Sequence, residues 1–363
     1  MRMFGAVVAL CFTLASPQER PVDQGFSFRS NVNLTNVTVT VTNDSGHFVT
    51  GLKRNDFEIY EDGVLQSTSH FDAERVPVSL GITVDTSGSM VGERWVAAQA
   101  ALSRFLVDLL GEQDEVFLQR FDSRPELVQL WTSDRRAAGR MLAGVTPRGG
   151  TAMYDAVADA IPLAQQGTKR KKALVIISDG QDTSSQTRPA ELTRLIQESE
   201  VLVYAIGIDT SGNQRSAQRA SQPASRQVTT AVTTQTKRPP VPSPFPGRKP
   251  ATVKPPTPPA SAPPAGRTAV PSTSGSGTRG SNSGVNADAL RSMTDDSGGR
   301  TEIIYSAQDL EAATAGIAGE LSQQYFLAYT SVAPKDGRWH TIEVRIKKKG
   351  DYLVRARRGF IAS

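Results

Sequence analysis

The chain has 363 residues, 21% of them charged and 38% hydrophobic, with a formal net charge of +5. That length suffices for about two domains with a sizeable core. One cysteine, Cys11, and three scattered histidines, His47, His70 and His340, exclude a thiolate or histidine zinc cluster, a cysteine nucleophile and an obvious Ser-His-Asp triad.

Arg2, the apolar run Met3 to Leu14 and the small residues Ala15 and Ser16 form the pattern of a secretory signal over residues 1–15. The run is shorter than the roughly 20 residues a spanning helix needs. The expectation is an exported protein, periplasmic or secreted, and not an integral membrane protein once the signal is cleaved. Cys11 lies within the signal, so the mature chain would be indifferent to an oxidising compartment.

Both ends of the remaining chain read as β. Asn36 to Thr42 alternates strictly between apolar and polar residues, as a half-buried strand does. Asp56 to Tyr60 and Val64 to Phe71 flank Asp62-Gly63, a strong hairpin signal. Tyr325 to Ser331, Arg338 to Ile346 and Tyr352 to Ala356 are strands separated by Asp336-Gly337 and Gly350-Asp351. The segments 26–75 and 325–361 are expected to pair into one small β-sandwich domain.

The middle alternates strand and helix. Val78 to Val84 is an apolar strand, Arg94 to Leu110 has helical periodicity, and Val116 to Phe121 and Leu127 to Trp131 are strands. Ala152 to Leu163 is helical. Ala173 to Ile177 and Val201 to Ile208 are continuous apolar runs, as strands covered on both faces should be. A helix over Asp288 to Met293, a strand over Thr301 to Tyr305 and a helix over 307–324 follow, the last opened by Ser306 with Asp309 completing a capping box. The order predicts an α/β domain over 77–324 with a doubly wound, mostly parallel sheet.

Residues 210–287 interrupt it. They hold ten of the 41 Lys and Arg and none of the 36 Asp and Glu, and 13 of the 22 prolines fall between Pro239 and Pro271. The rest of the chain carries 31 basic and 36 acidic residues, a net of −5, so the positive charge belongs to this one segment. No basic face with interleaved aromatics points to nucleic acid. The composition predicts a disordered insertion. It emerges at the carboxyl end of a strand, where it would be a passive spacer or would modulate access to that edge electrostatically.

The chemistry is concentrated at Asp85-Thr86-Ser87-Gly88-Ser89, which follows the first apolar strand and precedes a helix. By itself Asp-x-Ser-x-Ser arises by chance in about one such chain in ten. Its placement raises its value, because ligands bind at the carboxyl edge of a parallel sheet. Two further loops of that edge carry Gly149-Gly150-Thr151 and Ser178-Asp179-Gly180. Two carboxylates and three hydroxyls make a hard, all-oxygen donor set suited to Mg²⁺ or Mn²⁺. Asp155 reads as a first-turn helix residue, Asp182 as a loop residue or supporting partner and Asp122 as a turn residue; neither these nor Asp209 are assigned as ligands. A Gly-x-Gly-x-x-Gly at Gly275 has no strand before it and is read as chance.

These motifs resemble the von Willebrand factor type A domain with its metal-ion-dependent adhesion site, and all five motif positions are present. The resemblance implies that Ser87, Ser89 and Thr151 hold the metal directly through hydroxyls. Asp85 and Asp179 would act largely through water, and an Asp or Glu carboxylate of a partner protein would fill the open position. The flanking β regions, with Asp56 to Gly63 and Arg357-Arg358-Gly359-Phe360, are similar to those of exported bacterial VWFA-related proteins. The expected function is metal-dependent, adhesion-type protein binding without catalysis. The alternatives are a structural envelope component with an unused site, and a metal-dependent hydrolase, which would lack a placed general base.

Overall fold

The computed structural model describes residues 34–209, 285–306 and 308–362. The expected signal and most of the expected insertion lie outside these residues. Strands β1 (Leu34–Asn43), β2 (Phe57–Glu61), β3 (Val64–Gln66) and β4 (Thr68–Asp72) precede an alternating middle. There β5 (Val78–Asp85), α1 (Glu93–Arg104), β6 (Glu115–Phe121), β7 (Pro125–Thr132), α2 (Arg135–Arg140) and α3 (Met153–Gln165) are followed by β8 (Lys171–Ser178), α4 (Pro189–Glu198) and β9 (Leu202–Ile208). After the gap come α5 (Ala287–Thr294), β10 (Thr301–Ile304), α6 (Asp309–Gln323), β11 (Tyr325–Thr330), β12 (Trp339–Ile346), β13 (Tyr352–Arg355) and β14 (Gly359–Ile361).

The middle elements build a six-stranded sheet in the order β10-β9-β8-β5-β6-β7, parallel throughout except for β7. β5 is buried along its whole length, as a strand covered on both faces must be. One face packs against α1, α2 and α6 through Trp95, Leu102, Ala138, Ile317 and Leu321. The other packs against α3, α4 and α5 through Val157, Ile161, Leu192 and Leu290. α2 is too short to stand out in the sequence, whereas α4 carries an apolar face of Leu192, Leu195 and Ile196 that the sequence reading passed over.

Segments from both chain ends form two four-stranded antiparallel sheets, β13-β1-β11-β4 and β14-β12-β2-β3. Val37, Val39, Leu327 and Tyr329 from the first and Phe57, Ile59 and Ile342 from the second belong to one buried cluster. The Phe57 and Tyr325 rings lie 5.0 Å apart across it.

Four expectations are corrected. Val64 to Phe71 is two strands: β3 pairs with β2 across the Asp62-Gly63 turn, whereas β4 pairs with β11 in the other sheet. The turn itself has φ of +48° and +80°, the conformation the Asp-Gly pair favours. The insertion closes earlier than position 287, because the Asn286 side chain accepts from Ala289 N at 3.2 Å and caps α5. α6 begins at Asp309. Ser306 makes a local turn, its Oγ accepting from Gln308 N at 3.1 Å, and does not form the expected capping box. The predicted helix over Arg94 to Leu110 is α-helical only to Arg104 and continues as a π turn over Phe105–Leu109.

Where the sheets meet, Glu320 of α6 is 1% exposed. Its carboxylate accepts hydrogen bonds from Thr40 Oγ1 at 3.0 Å, Tyr204 OH at 3.0 Å and Arg300 Nε at 3.0 Å, and pairs with Arg355. Gln324 Nε2 donates to Tyr204 OH at 2.8 Å and Thr40 Oγ1 at 3.1 Å. Burial first, then the neighbouring Glu320 charge, holds the Tyr204 phenol well above its ordinary range. At the next residue of α6 after Glu320, the buried Lys171 ammonium donates to the Leu321 carbonyl at 2.6 Å. Burial first, then the nearby Arg75 charge, pushes its pKa down to about 8.

Removing Glu320 leaves the Arg355 guanidinium without its counter-charge and Arg300 with Glu302 alone. Glu320→Ala is therefore expected to cost about 3 to 5 kcal/mol, measured by urea unfolding. His340, 8% exposed, meets Asp62 Oδ2 through Nδ1 at 2.7 Å. The Asp62 hydrogen bond raises the His340 pKa, and the His340 hydrogen bond lowers that of Asp62. The histidine contribution is complete below its ordinary value and fades as pH rises through the folded one. The aspartate contribution is present above its ordinary value and is lost as pH falls through the folded one. His340→Gln should thus destabilise the protein more near about pH 5.5 than near about pH 9, read from the difference in urea midpoints.

Candidate functional site

Asp85 ends β5 and is fully buried, while Ser87, Thr151 and Asp179 are at most 5% exposed. The Asp85 carboxylate accepts from Ser87 N at 2.8 Å through Oδ1 and from Ser178 Oγ at 2.6 Å through Oδ2. Ser87 Oγ and Ser89 Oγ lie 3.0 Å apart. A short 3₁₀ turn over Gly88–Met90 follows, so the motif stays a loop before α1 begins.

Thr151 reaches the same edge through its backbone. Gly88 N donates to Gly149 O at 3.1 Å and Arg148 N to Thr86 O at 2.8 Å, tying the first loop to the Gly-Gly-Thr loop. Thr151 N donates to Thr183 Oγ1 at 2.9 Å, and Thr183 N returns to Thr151 O at 2.8 Å. Gly149 has φ +80°, a region that excludes most side chains. Asp179 follows β8, its Oδ1 accepting from Gln181 N at 3.1 Å and its carbonyl from Asn286 N at 3.0 Å.

The structure thus brings Asp85, Ser87 and Ser89 into one hydrogen-bonded group. Asp179 lies close enough for its charge to act on Asp85, and Thr151 sits on the loop bonded to Gly88. Burial pushes the Asp85 pKa up to about 6, opposed by the Ser178 and Ser87 hydrogen bonds and reinforced by Asp179. Among the described residues neither carboxylate makes an ion pair, and no group of three or more His, Cys, Asp or Glu stands together. Two carboxylates with three hydroxyls are a donor set that fits a hard divalent cation, and the strain of a buried unpaired carboxylate is what such a cation would relieve.

The unassigned carboxylates have structural work. Asp182 accepts from Tyr154 N at 3.1 Å and Ser185 N at 3.1 Å, capping the start of α3. Asp155, in the first turn of α3, accepts from Thr187 N at 2.7 Å and Gln186 N at 3.0 Å. Although burial alone would raise its pKa, those bonds hold it below the usual range. Asp122 contributes its carbonyl, which accepts from Ala152 N at 2.6 Å, and Asp209 continues the ladder by donating to Ile304 O at 2.8 Å. The sequence reading missed Ser178. A serine just before Asp179 at a strand's end was visible, but only folding shows that β8 lies beside β5.

Residues 80–181 match the family model of the von Willebrand factor type A domain. The matched stretch runs from β5 to just past β8 and contains all five expected site residues. Among curated proteins, the chain is similar to inter-alpha-trypsin inhibitor heavy chain H4 of Sus scrofa, 24% identical over 196 residues, covering 50% of this chain and 19% of that protein. The counterpart in Homo sapiens is 26% identical over 136 residues, 34% of this chain and 14% of its own length. The chain therefore spans less than a fifth of the curated relatives it matches. Among solved structures, a von Willebrand factor type A protein from Catenulispora acidiphila is 13% identical with a TM-score of 0.44, covering 92% of this chain and 75% of its own. The vWF domain of the type V pili tip protein Mfa5 from Porphyromonas gingivalis is 26% identical with a TM-score of 0.29, covering 31% of this chain and 40% of its own.

Ser178→Ala removes the hydroxyl that donates to Asp85 Oδ2 and accepts from Gly180 N at 3.0 Å. The buried carboxylate then loses a donor, and stability should fall by about 1 to 3 kcal/mol, read by urea unfolding in chelator-containing buffer.

Proposed function

We propose that this chain is an exported, divalent-metal-dependent protein-binding module of adhesion type, which recognises an acidic group on a partner protein. The observation that carries the reading is the buried pair Asp85 and Asp179, which among the described residues have no ion-pair partner and stand beside the hydroxyl-bearing Ser87, Ser89 and Thr151 loops. Ser87, Ser89 and Thr151 would hold Mg²⁺ or Mn²⁺ through their hydroxyls, and Asp85 and Asp179 would balance its charge largely through water. When bound, the cation supplies a positive site for an Asp or Glu carboxylate of the partner. The β5 carboxyl end positions Asp85, Ser178 orients its carboxylate, and the Gly88–Gly149 backbone bond fixes the spacing of the two loops.

In this reading the unit bearing the site spans 77–324. We read the two terminal sheets, built from described residues within 26–75 and 325–361, as a β-sandwich that carries it. The type A match supports protein interaction in place of catalysis. The histidines lie away from the site as well: His70 pairs with Asp72, and His340 with Asp62. Export is supported by the Arg2 and Met3 to Leu14 pattern, and among the described residues no helix is long and apolar enough to cross a membrane.

The test is calorimetric titration of Mg²⁺ and of Mn²⁺ into chelator-stripped protein, with acetate present as a stand-in carboxylate. Saturable binding is expected, lost in Asp85→Ala and weakened in Ser87→Ala, with circular dichroism showing both variants folded. No saturable binding to the wild-type protein, or equal binding in the folded Asp85→Ala variant, would overturn the metal-centred reading.

A further inference from the structure

Away from the carboxyl edge, an open-sided groove of about 670 Å³ runs between α1, the π turn and α2. That volume is within the range of small-molecule sites, roughly 300 to 1,000 Å³. Ala100, Val107 and Ala143 supply its accessible apolar surface. Arg136 and Arg140 line it one helical turn apart, and no Asp or Glu does. Neither arginine has an ion-pair partner among the described residues. Like charges at this spacing repel one another, so the bare protein holds two positive charges at the groove without local compensation.

Two further features bear on this groove. Phe105 to Leu109 winds as a π turn, an arrangement found frequently at functional sites, and it places Val107 in the lining while Phe105 and Leu106 stay in the core. Gly139 is the second-last residue of α2. A Cβ there would meet only Leu106 Cδ1, at an ordinary 3.9 Å, so packing does not require the glycine. It leaves the backbone of α2 open to close approach from the groove. Gln99 Nε2 donates to the Leu142 carbonyl at 2.7 Å, which fixes α1 to the end of α2 and keeps the groove formed without a ligand.

We infer that this groove binds an organic phosphate monoester: the two guanidiniums take the phosphate dianion, and a compact apolar body rests on Ala100, Val107 and Ala143 beside Gly139. Guanidinium forks match phosphate oxygens in geometry and charge, whereas a single carboxylate would neutralise one arginine only. The inference stands apart from the metal site, whose residues line no part of the groove.

The experiment titrates phenyl phosphate and, separately, inorganic phosphate and benzoate into the isotope-labelled full-length protein, following backbone amides by NMR. Phenyl phosphate should bind saturably with shifts at Ser103, Val107 and Gly139, at least tenfold more tightly than either inorganic phosphate or benzoate. Arg136→Gln and Arg140→Gln should each weaken it about tenfold. Gly139→Val should block it while the circular dichroism spectrum is retained, and Gly139→Ala, which favours the helix, provides a second folded variant with weakened binding. Absence of saturable shifts with phenyl phosphate overturns the proposal. So do shifts confined to other elements, equal affinity for inorganic phosphate, or affinity unchanged in the arginine variants.

Discussion

A buried carboxylate, Glu320, holds the two halves of this molecule in register. Its oxygens are claimed by Thr40 of β1, Tyr204 of β9, Arg300 ahead of β10 and Arg355 of β13, so elements from the parallel sheet and from the terminal sheets meet on one side chain. Such a charge is tolerable inside only when its hydrogen-bonding capacity is met, which makes the arrangement specific. Sliding α6 by one turn would leave a carboxylate, the Arg355 guanidinium and a phenol unmatched together, and Arg300 with Glu302 alone. Lys171 adds a second constraint by donating to Leu321 in the last turn of the same helix, where exposed carbonyls attract positive charge.

The joint and the candidate metal centre lie at opposite ends of β8. Lys171 opens the strand at the joint, and Ser178 closes it beside Asp85. Seven intervals of about 3.3 Å separate them by about 23 Å. The site is thus assembled on the rigid core of the sheet, with β5 and β8 paired in parallel from Val78 and Lys171 onwards. The loops that complete it are short and bonded to one another through Gly88 and Gly149. A buried aspartate with a raised pKa is unfavourable for stability alone. That local cost, set on an otherwise well-satisfied scaffold, is the form a ligand site commonly takes.

Much of the fold was legible because the central strands are buried on both faces. Ala173 to Ile177 and Val201 to Ile208 are near-continuous apolar runs, as strands of a sheet covered on both faces are. The Asp62-Gly63 turn was legible for a backbone reason, since both residues must adopt positive φ. What pattern could not show was the division of Val64 to Phe71 between two sheets. The break falls within one stretch whose alternation barely changes, and partner strands from the far end of the chain decide it. The π turn after Arg104 is likewise invisible to a period of 3.6 residues, because its apolar positions continue the stripe of α1.

For the site, the sequence by itself determined the chemistry: residue types, their order and their place at strand ends specify an all-oxygen donor set. Tertiary structure alone decided which groups stand together. Ser178 touches Asp85 because β8 lies beside β5, and Glu320 meets Arg355 because β13 folds back onto β1. Local pattern records how a segment divides its faces between core and solvent, through periodicities of 2 and 3.6 residues. Contacts between residues tens or hundreds of positions apart carry no such period, and a buried polar pair is set by packing that only the assembled sheets provide.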